Sequence, residues 1–154
     1  MTPIKSEDQI DKLELLRQVP LFAGLNTDRL QALATVSRVF TLPEGDEIIE
    51  EGAELLEEDD GLFLLLDGTV EIRKGAVDGV DGQVVAQFGR GEFFGEMSLL
   101  DGQPRSASVI ATSEVLCLVL NRADLQRQLR NDPEIALNML VVLSRRLRRM
   151  TESV

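Results

Sequence analysis

Apolar positions along the chain change their period twice. In "LELLRQV" at 13–19 they recur at helical spacing, and the run stops at Pro20. "NTDRLQALATV" at 26–36 predicts a second helix, with Leu30, Leu33 and Val36 on one face. Asn26 stands before it as an N-cap, because its side-chain oxygen can accept from the unpaired amides of a first turn. From Arg38 to Leu120 the helical period disappears. Short apolar or alternating runs follow one another there: "EIIE", "LFLLL", "TVEIRK", "QVVAQF", "SASVIA" and "VLCLVL". Gly or Pro separates them at close intervals, with Asp-Gly pairs at 67–68, 78–79, 81–82 and 101–102. Period 3.6 then returns. Asn121 caps "RADLQRQLR", and "DPE" at 132–134 opens a last helix that should end near residue 150.

Helices, then many short strands, then helices predict a mainly β fold with flanking helices. The expected architecture is an antiparallel β jelly roll, drawn as a β-barrel, with N-terminal helices at 8–36, the β-roll at 38–120 and two C-terminal helices at 121–150. No repeat or linker divides the chain, so residues 1–154 are expected to form one domain. In the last helix Ala136, Leu140, Leu143, Leu147 and Met150 are spaced 4, 3, 4, 3. This short heptad stripe fits either a homodimer seam or packing against the β-roll. Arg145, Arg146, Arg148 and Arg149 suit the negative end of that helix.

Composition removes several kinds of chemistry. The chain has no His, hence no imidazole base and no His-built metal site, so a metal-dependent jelly-roll enzyme is excluded and no metal is expected. A net charge of −11 opposes contact with a phosphate backbone, and the lack of Trp and Tyr leaves few rings for stacking on nucleic-acid bases. No nucleic-acid partner is expected. No apolar run reaches the roughly 18 residues of a membrane span, and the first residues carry no hydrophobic signal region. A single cysteine, Cys117, allows no internal disulfide, which fits a reducing cytoplasm. Residues 44–60 hold ten acids and no base. They read as solvated surface, with a protein-partner surface as the sharper alternative.

The chemistry concentrates in "FFGEMSLLDGQPRSASV" at 93–109. Gly91 and Gly95 allow a sharp turn and close approach of the backbone to a ligand. "EMSLL" can form one helical turn whose first amides, near Met97 and Ser98, face an anion. Pro104 fixes the backbone entering Arg105, whose planar fork suits two phosphate oxygens. An ionised Glu96 accepts hydrogen bonds and so suits a sugar hydroxyl. An anion clamp and a hydroxyl acceptor held close together describe a ribose-phosphate site. The plainer reading is a surface Glu–Arg pair closing a turn.

Gly95-Glu96-Met97-Ser98-Leu99, four residues, then Pro104-Arg105-Ser106-Ala107-Ser108 closely resembles the phosphate-binding cassette of cyclic nucleotide-binding domains. These occur in catabolite activator proteins, protein kinase A regulatory subunits and cyclic-nucleotide-gated channels. "VPLFAGL" at 19–25, "PEGDEIIEEG" at 43–52 and "LFLLLDGTVEI" at 62–72 extend the likeness over nearly the whole chain. The resemblance implies a cassette at 94–108, with Gly95, Glu96, Met97, Ser98, Arg105, Ser106 and Ala107 as ligand-binding residues. Glu96 would hold the ribose 2′-hydroxyl, Arg105 the cyclic phosphate, and the Ser106 hydroxyl and nearby amides the remaining phosphate oxygens. Serine rather than threonine at 106 implies cyclic AMP over cyclic GMP.

Two features depart from the family pattern: "AELLEEDDG" at 53–61 is longer and more acidic than the usual turn, and no DNA-reading, kinase or channel segment follows the last helix. The chain is therefore not expected to be a self-contained transcription factor. The resulting expectation is a non-enzymatic cytoplasmic receptor for a cyclic mononucleotide, signalling to an unidentified protein partner through its C-terminal helices. The competing expectation is a ligand-free jelly-roll interaction module, or a regulatory fragment of a larger protein. Intact Glu96 and Arg105 count against the ligand-free module.

Overall fold

The computed structural model describes residues 2–3, 11–53, 61–75 and 82–152. The acidic stretch 54–60 and the Asp-Gly pairs at 78–79 and 81–82 lie wholly or partly outside these residues.

The first helices form where the pattern places them. α1 (Lys12–Arg17) stops ahead of a 3-10 turn, Pro20–Phe22, and α2 (Thr27–Val36) begins behind Asn26. The Asn26 side chain accepts from the Arg29 amide at 3.0 Å, as a cap should. Lys12 Nζ donates to the carbonyls of Ala34 (2.8 Å) and Ser37 (3.0 Å), so α1 closes the end of α2. The β segment supplies β2 (Arg38–Leu42), β3 (Glu47–Ile49), β4 (Gly61–Asp67), β5 (Val70–Lys74), β6 (Gln83–Phe88) and β7 (Phe93–Phe94). α3 (Glu96–Asp101) interrupts it before β8 (Ser108–Ala111) and β9 (Val115–Asn121), and β1 (Thr2–Pro3) adds a short edge at the start of the chain. α4 (Arg122–Asn131) and α5 (Pro133–Glu152) close the fold.

The strands pair antiparallel in two sheets, ordered β1-β2-β9-β4-β7 and β3-β8-β5-β6. The jelly-roll expectation holds, but the sheets do not close into a barrel. Closure needs edge strands long enough to carry a ladder from one sheet to the other. Here β1 and β7 have two residues each and β3 has three. Asp67-Gly68 turns the chain from β4 in the first sheet to β5 in the second, with Gly68 at φ +93°. Asp101-Gly102 does not turn a hairpin; Gly102, at φ +75°, caps α3 and donates its amide to the Ser98 carbonyl.

β4 explains why its run is apolar without alternation. Leu62, Leu64 and Leu66 face the helices, whereas Phe63 and Leu65 face the second sheet. A strand covered on both faces has no solvent side to keep polar. β9 follows the same rule, with Leu118 and Leu120 toward the helices and Val115 and Cys117 between the sheets. Burial pushes the Cys117 thiol up to about 12, so it is an inert core residue.

α5 is fastened at its base. Arg29 of α2 grips the Asp132 carboxylate through Nε (2.7 Å) and Nη2, and reaches Glu134 at 3.3 Å. Asn138 Nδ2 donates to the carbonyls of Leu21 (3.0 Å) and Ala23 (2.9 Å). The helix does not turn the expected stripe inward. Ile135 and Met139 are buried, with Val142 and Leu143 packed against the core, while Leu140, Leu147 and Met150 stay 58%, 62% and 69% exposed. The inward face is thus rotated by about one residue, or about 100°, from the 136/140/143/147/150 stripe.

Candidate functional site

β7 delivers the chain to the site. Phe93 and Phe94 point to opposite sides, Phe93 into the helical layer and Phe94 between the sheets. Gly95 then turns at φ +88° and starts α3. A β-carbon there would lie 3.1 Å from Arg105 Nη1 and 3.2 Å from the Gly61 carbonyl oxygen. Both the left-handed backbone and the close approach therefore require glycine.

Glu96 and Arg105 are each buried, 7% and 6% exposed, so the surface ion pair is not what this segment builds. Arg105 Nη1 donates to the Gly95 carbonyl at 2.8 Å, and Nη2 to the Gly61 carbonyl at 3.2 Å. Its own backbone is held too: its amide donates to the Ala53 carbonyl (3.0 Å), and its carbonyl accepts from the Gly52 amide (2.8 Å). Ser108 supports that turn by accepting from the Glu51 amide at 2.9 Å. The guanidinium is locked against the N-terminus of α3, and Arg105 lowers the pKa of Glu96 through space.

Glu96 meets Arg146, one of the four α5 arginines that the sequence offered mainly for the end of that helix. Arg146 of α5 lies 3.5 Å from Glu96 Oε1 and donates to the Phe93 carbonyl at 2.5 Å. Its guanidinium sits 4.3 Å from the Phe88 ring centre and 4.5 Å from that of Phe93. Burial raises the pKa of Glu96 above the usual carboxylate value, opposed by its own backbone amide, Arg146 and Arg105. Burial also lowers the pKa of Arg146, opposed by Glu96 and Glu92.

The remaining predicted residues divide by exposure. Ser98 is buried, Met97 is 56% exposed, Ser106 is exposed, and Ala107 is half-buried on the segment leading into β8. The structure thus brings Gly95, Glu96 and Arg105 together at the start of α3, with Ser106 and Ala107 following Arg105 in the chain. Chemically, it offers a carboxylate acceptor and a fixed cationic fork within one small region, and aromatic faces beside them.

The family model described as cyclic nucleotide-binding domain matches residues 39–132. The chain belongs to this family. It is similar to the CRP-like cAMP-activated global transcriptional regulator of Mycobacterium tuberculosis, 30% identical over 141 residues, which are 92% of this chain and 61% of that protein. It is also similar to the cAMP-dependent protein kinase regulatory subunit of Aspergillus fumigatus, 38% identical over 114 residues, or 74% of this chain and 26% of that one. The crystal structure of Thermus thermophilus catabolite activator protein superposes with a TM-score of 0.73 at 33% identity, covering 87% of this chain and 61% of that chain. The chain therefore spans less than two thirds of each of these relatives. The cyclic nucleotide-binding family accounts for the two-sheet fold with helices at both ends. No helix among the described residues is long and apolar enough to cross a membrane, and those residues contain no cluster of potential metal ligands.

Proposed function

We propose that this cyclic nucleotide-binding domain is a non-enzymatic receptor for cyclic AMP, acting in the cytoplasm. The observation that supports this most is the burial of Glu96 and Arg105 together around Gly95. A carboxylate and a guanidinium both cost free energy to bury, and a domain without a ligand for them gains little by keeping both. Arg105 supplies the fork for the cyclic phosphate, with the Ser106 hydroxyl and the amides near Met97 and Ser98 beside it. Glu96 supplies the acceptor for the ribose 2′-hydroxyl. Serine at 106 and the cAMP-activated relative favour the adenine over the guanine nucleotide.

Isothermal titration with cyclic AMP and cyclic GMP tests this reading. Binding of both, tighter for cyclic AMP, is expected. Tighter binding of cyclic GMP would reverse the base assignment, and binding of neither would favour the ligand-free interaction module. Glu96→Gln should weaken cyclic AMP by about 1.5–3 kcal/mol, the usual contribution of a hydrogen bond to a charged group. It should cost the 2′-deoxy analogue far less. Equal losses would move Glu96 from ribose binding to the fold.

The output we propose is movement of α5, together with self-association along it. Leu137, Leu140, Val141, Leu147 and Met150 are all at least 48% exposed on this helix, an apolar surface that a second copy can cover. Sedimentation should show a dimer that Leu140→Glu converts to monomer. A monomeric wild type would remove this part of the reading.

A further inference from the structure

We infer that Ser108 is a positioning residue for the phosphate site: its hydroxyl pins an arch of backbone at 106–108 that turns the Ser106 side chain outward beside the Arg105 fork. The inference rests on the proposed phosphate role of Arg105 and Ser106. Its own support is a mismatch in chain length. The pairing of β3 with β8 ends at Ile49 and Val109. Contact between the two segments resumes at Arg105, whose amide donates to the Ala53 carbonyl (3.0 Å) and whose carbonyl accepts from the Gly52 amide (2.8 Å). Between these fixed points stand Glu50 and Glu51 on one side and Ser106, Ala107 and Ser108 on the other. Two residues facing three force the longer side to bulge.

The bulge has a definite shape. The chain bends at Ser106 and Ala107, and exposure falls along it: Ser106 is exposed, Ala107 half-buried and Ser108 only 3% exposed. At its buried foot the Ser108 hydroxyl accepts from the Glu51 amide at 2.9 Å, a side-chain rung where the backbones are out of step. Both ends of that rung are tied to one strand. The Ser108 backbone pairs with Arg73 of β5, and the Glu51 carboxylate accepts from the amide of Gly75, just past β5, at 2.9 Å. The foot of the arch is therefore held from two directions, while its crown carries the exposed Ser106.

The Ser108 hydroxyl is engaged by a protein amide and shut off from solvent, so it is not itself a ligand group. Its effect on binding passes through Ser106. Alanine at 108 removes the rung and leaves the Glu51 amide without that acceptor. The arch then loses its fixed foot, and the Ser106 hydroxyl loses its fixed direction.

A double-mutant cycle tests this, with cyclic AMP affinity measured for wild type, Ser106→Ala, Ser108→Ala and the double variant. Each single change should weaken binding by about two- to tenfold, the net contribution of one neutral hydrogen bond. The double variant should bind about as well as the weaker single variant, because the second change removes a contact already lost. A merely structural serine would give losses that multiply. Ser108→Thr keeps the hydroxyl and should bind nearly as wild type, whereas Ser108→Val, of the same shape without it, should bind as weakly as Ser108→Ala. The Thr and Val pair also carries the test should Ser108→Ala not fold. Multiplying losses, unchanged affinity in either single variant, or equal binding by Thr and Val would overturn the role of Ser108 and leave the receptor reading standing. A wild type that binds neither cyclic nucleotide would instead overturn the receptor reading.

Discussion

Arg105→Ala is expected to reduce cyclic AMP affinity by at least about tenfold, the largest loss from any single change in the cassette. A hydrogen bond to a charged group contributes about 1.5–3 kcal/mol, and a bidentate contact more, against about 1.4 kcal/mol per tenfold in affinity. The same guanidinium holds the carbonyls of Gly95 and Gly61, so its removal also takes a donor from each. Thermal unfolding must therefore accompany the titration. The expected outcome is a modest fall in Tm with a severe loss of binding. A lower Tm with unchanged affinity would make Arg105 a structural clasp and remove its phosphate role. Arg105→Lys should also bind poorly, because an ammonium presents a point charge where two carbonyls and a phosphate require a planar fork.

Arg105 was legible in the sequence because its surroundings are local. Gly95, Pro104 and the small residues after 105 lie within one short stretch, and their spacing prescribes a turn around an anion. Gly61 was not legible in that role. It lies 44 positions away, and its contribution is a carbonyl, which any residue carries. What makes it glycine is the far side of β4: a β-carbon would come within 2.6 Å of Val119. Such a constraint belongs to the sheet register, which pairs Gly61 with Asn121, and register is invisible in an unpaired strand.

Arg146 was hidden for a different reason. The heptad at 136, 140, 143, 147 and 150 is the regular apolar stripe of α5, and it fits a dimer seam as well as a face turned inward. The Arg29–Asp132 clasp and the Asn138 contacts fix the rotation of the helix instead, and they select the stripe through Ile135 and Met139. Followed along its length, this second stripe ends on an arginine at the cassette. The polar residue on an otherwise apolar inward line was the signal. It needed the rotation of the helix to become readable. The barrel failed on similar grounds, since strand number and turns are local while closure depends on edges that two-residue strands cannot extend.

The core beneath the cassette supplies the second large effect: Phe94→Ala should destabilise the chain by about 3–5 kcal/mol, the range for emptying a buried phenylalanine site. Phe94 is 2% exposed, and its ring stacks on Phe63 with centroids 5.3 Å apart and planes within 4°. The two residues are also paired across β4 and β7. β7 has only two residues, so few ladder bonds hold the strand that leads into Gly95. Side-chain burial takes over that task. Phe93 anchors it on the helical side and Phe94 between the sheets, and the turn carrying Glu96 starts from this pair. Phe94→Leu keeps much of the volume and should cost clearly less. Denaturant unfolding measures the loss, and hydrogen exchange of the 95–99 amides shows where it falls. Faster exchange in the cassette than in β9 is expected, because β9 is paired on both sides and β7 on one. Equal acceleration in both would mean that Phe94 serves the sandwich as a whole, with no special hold on the cassette.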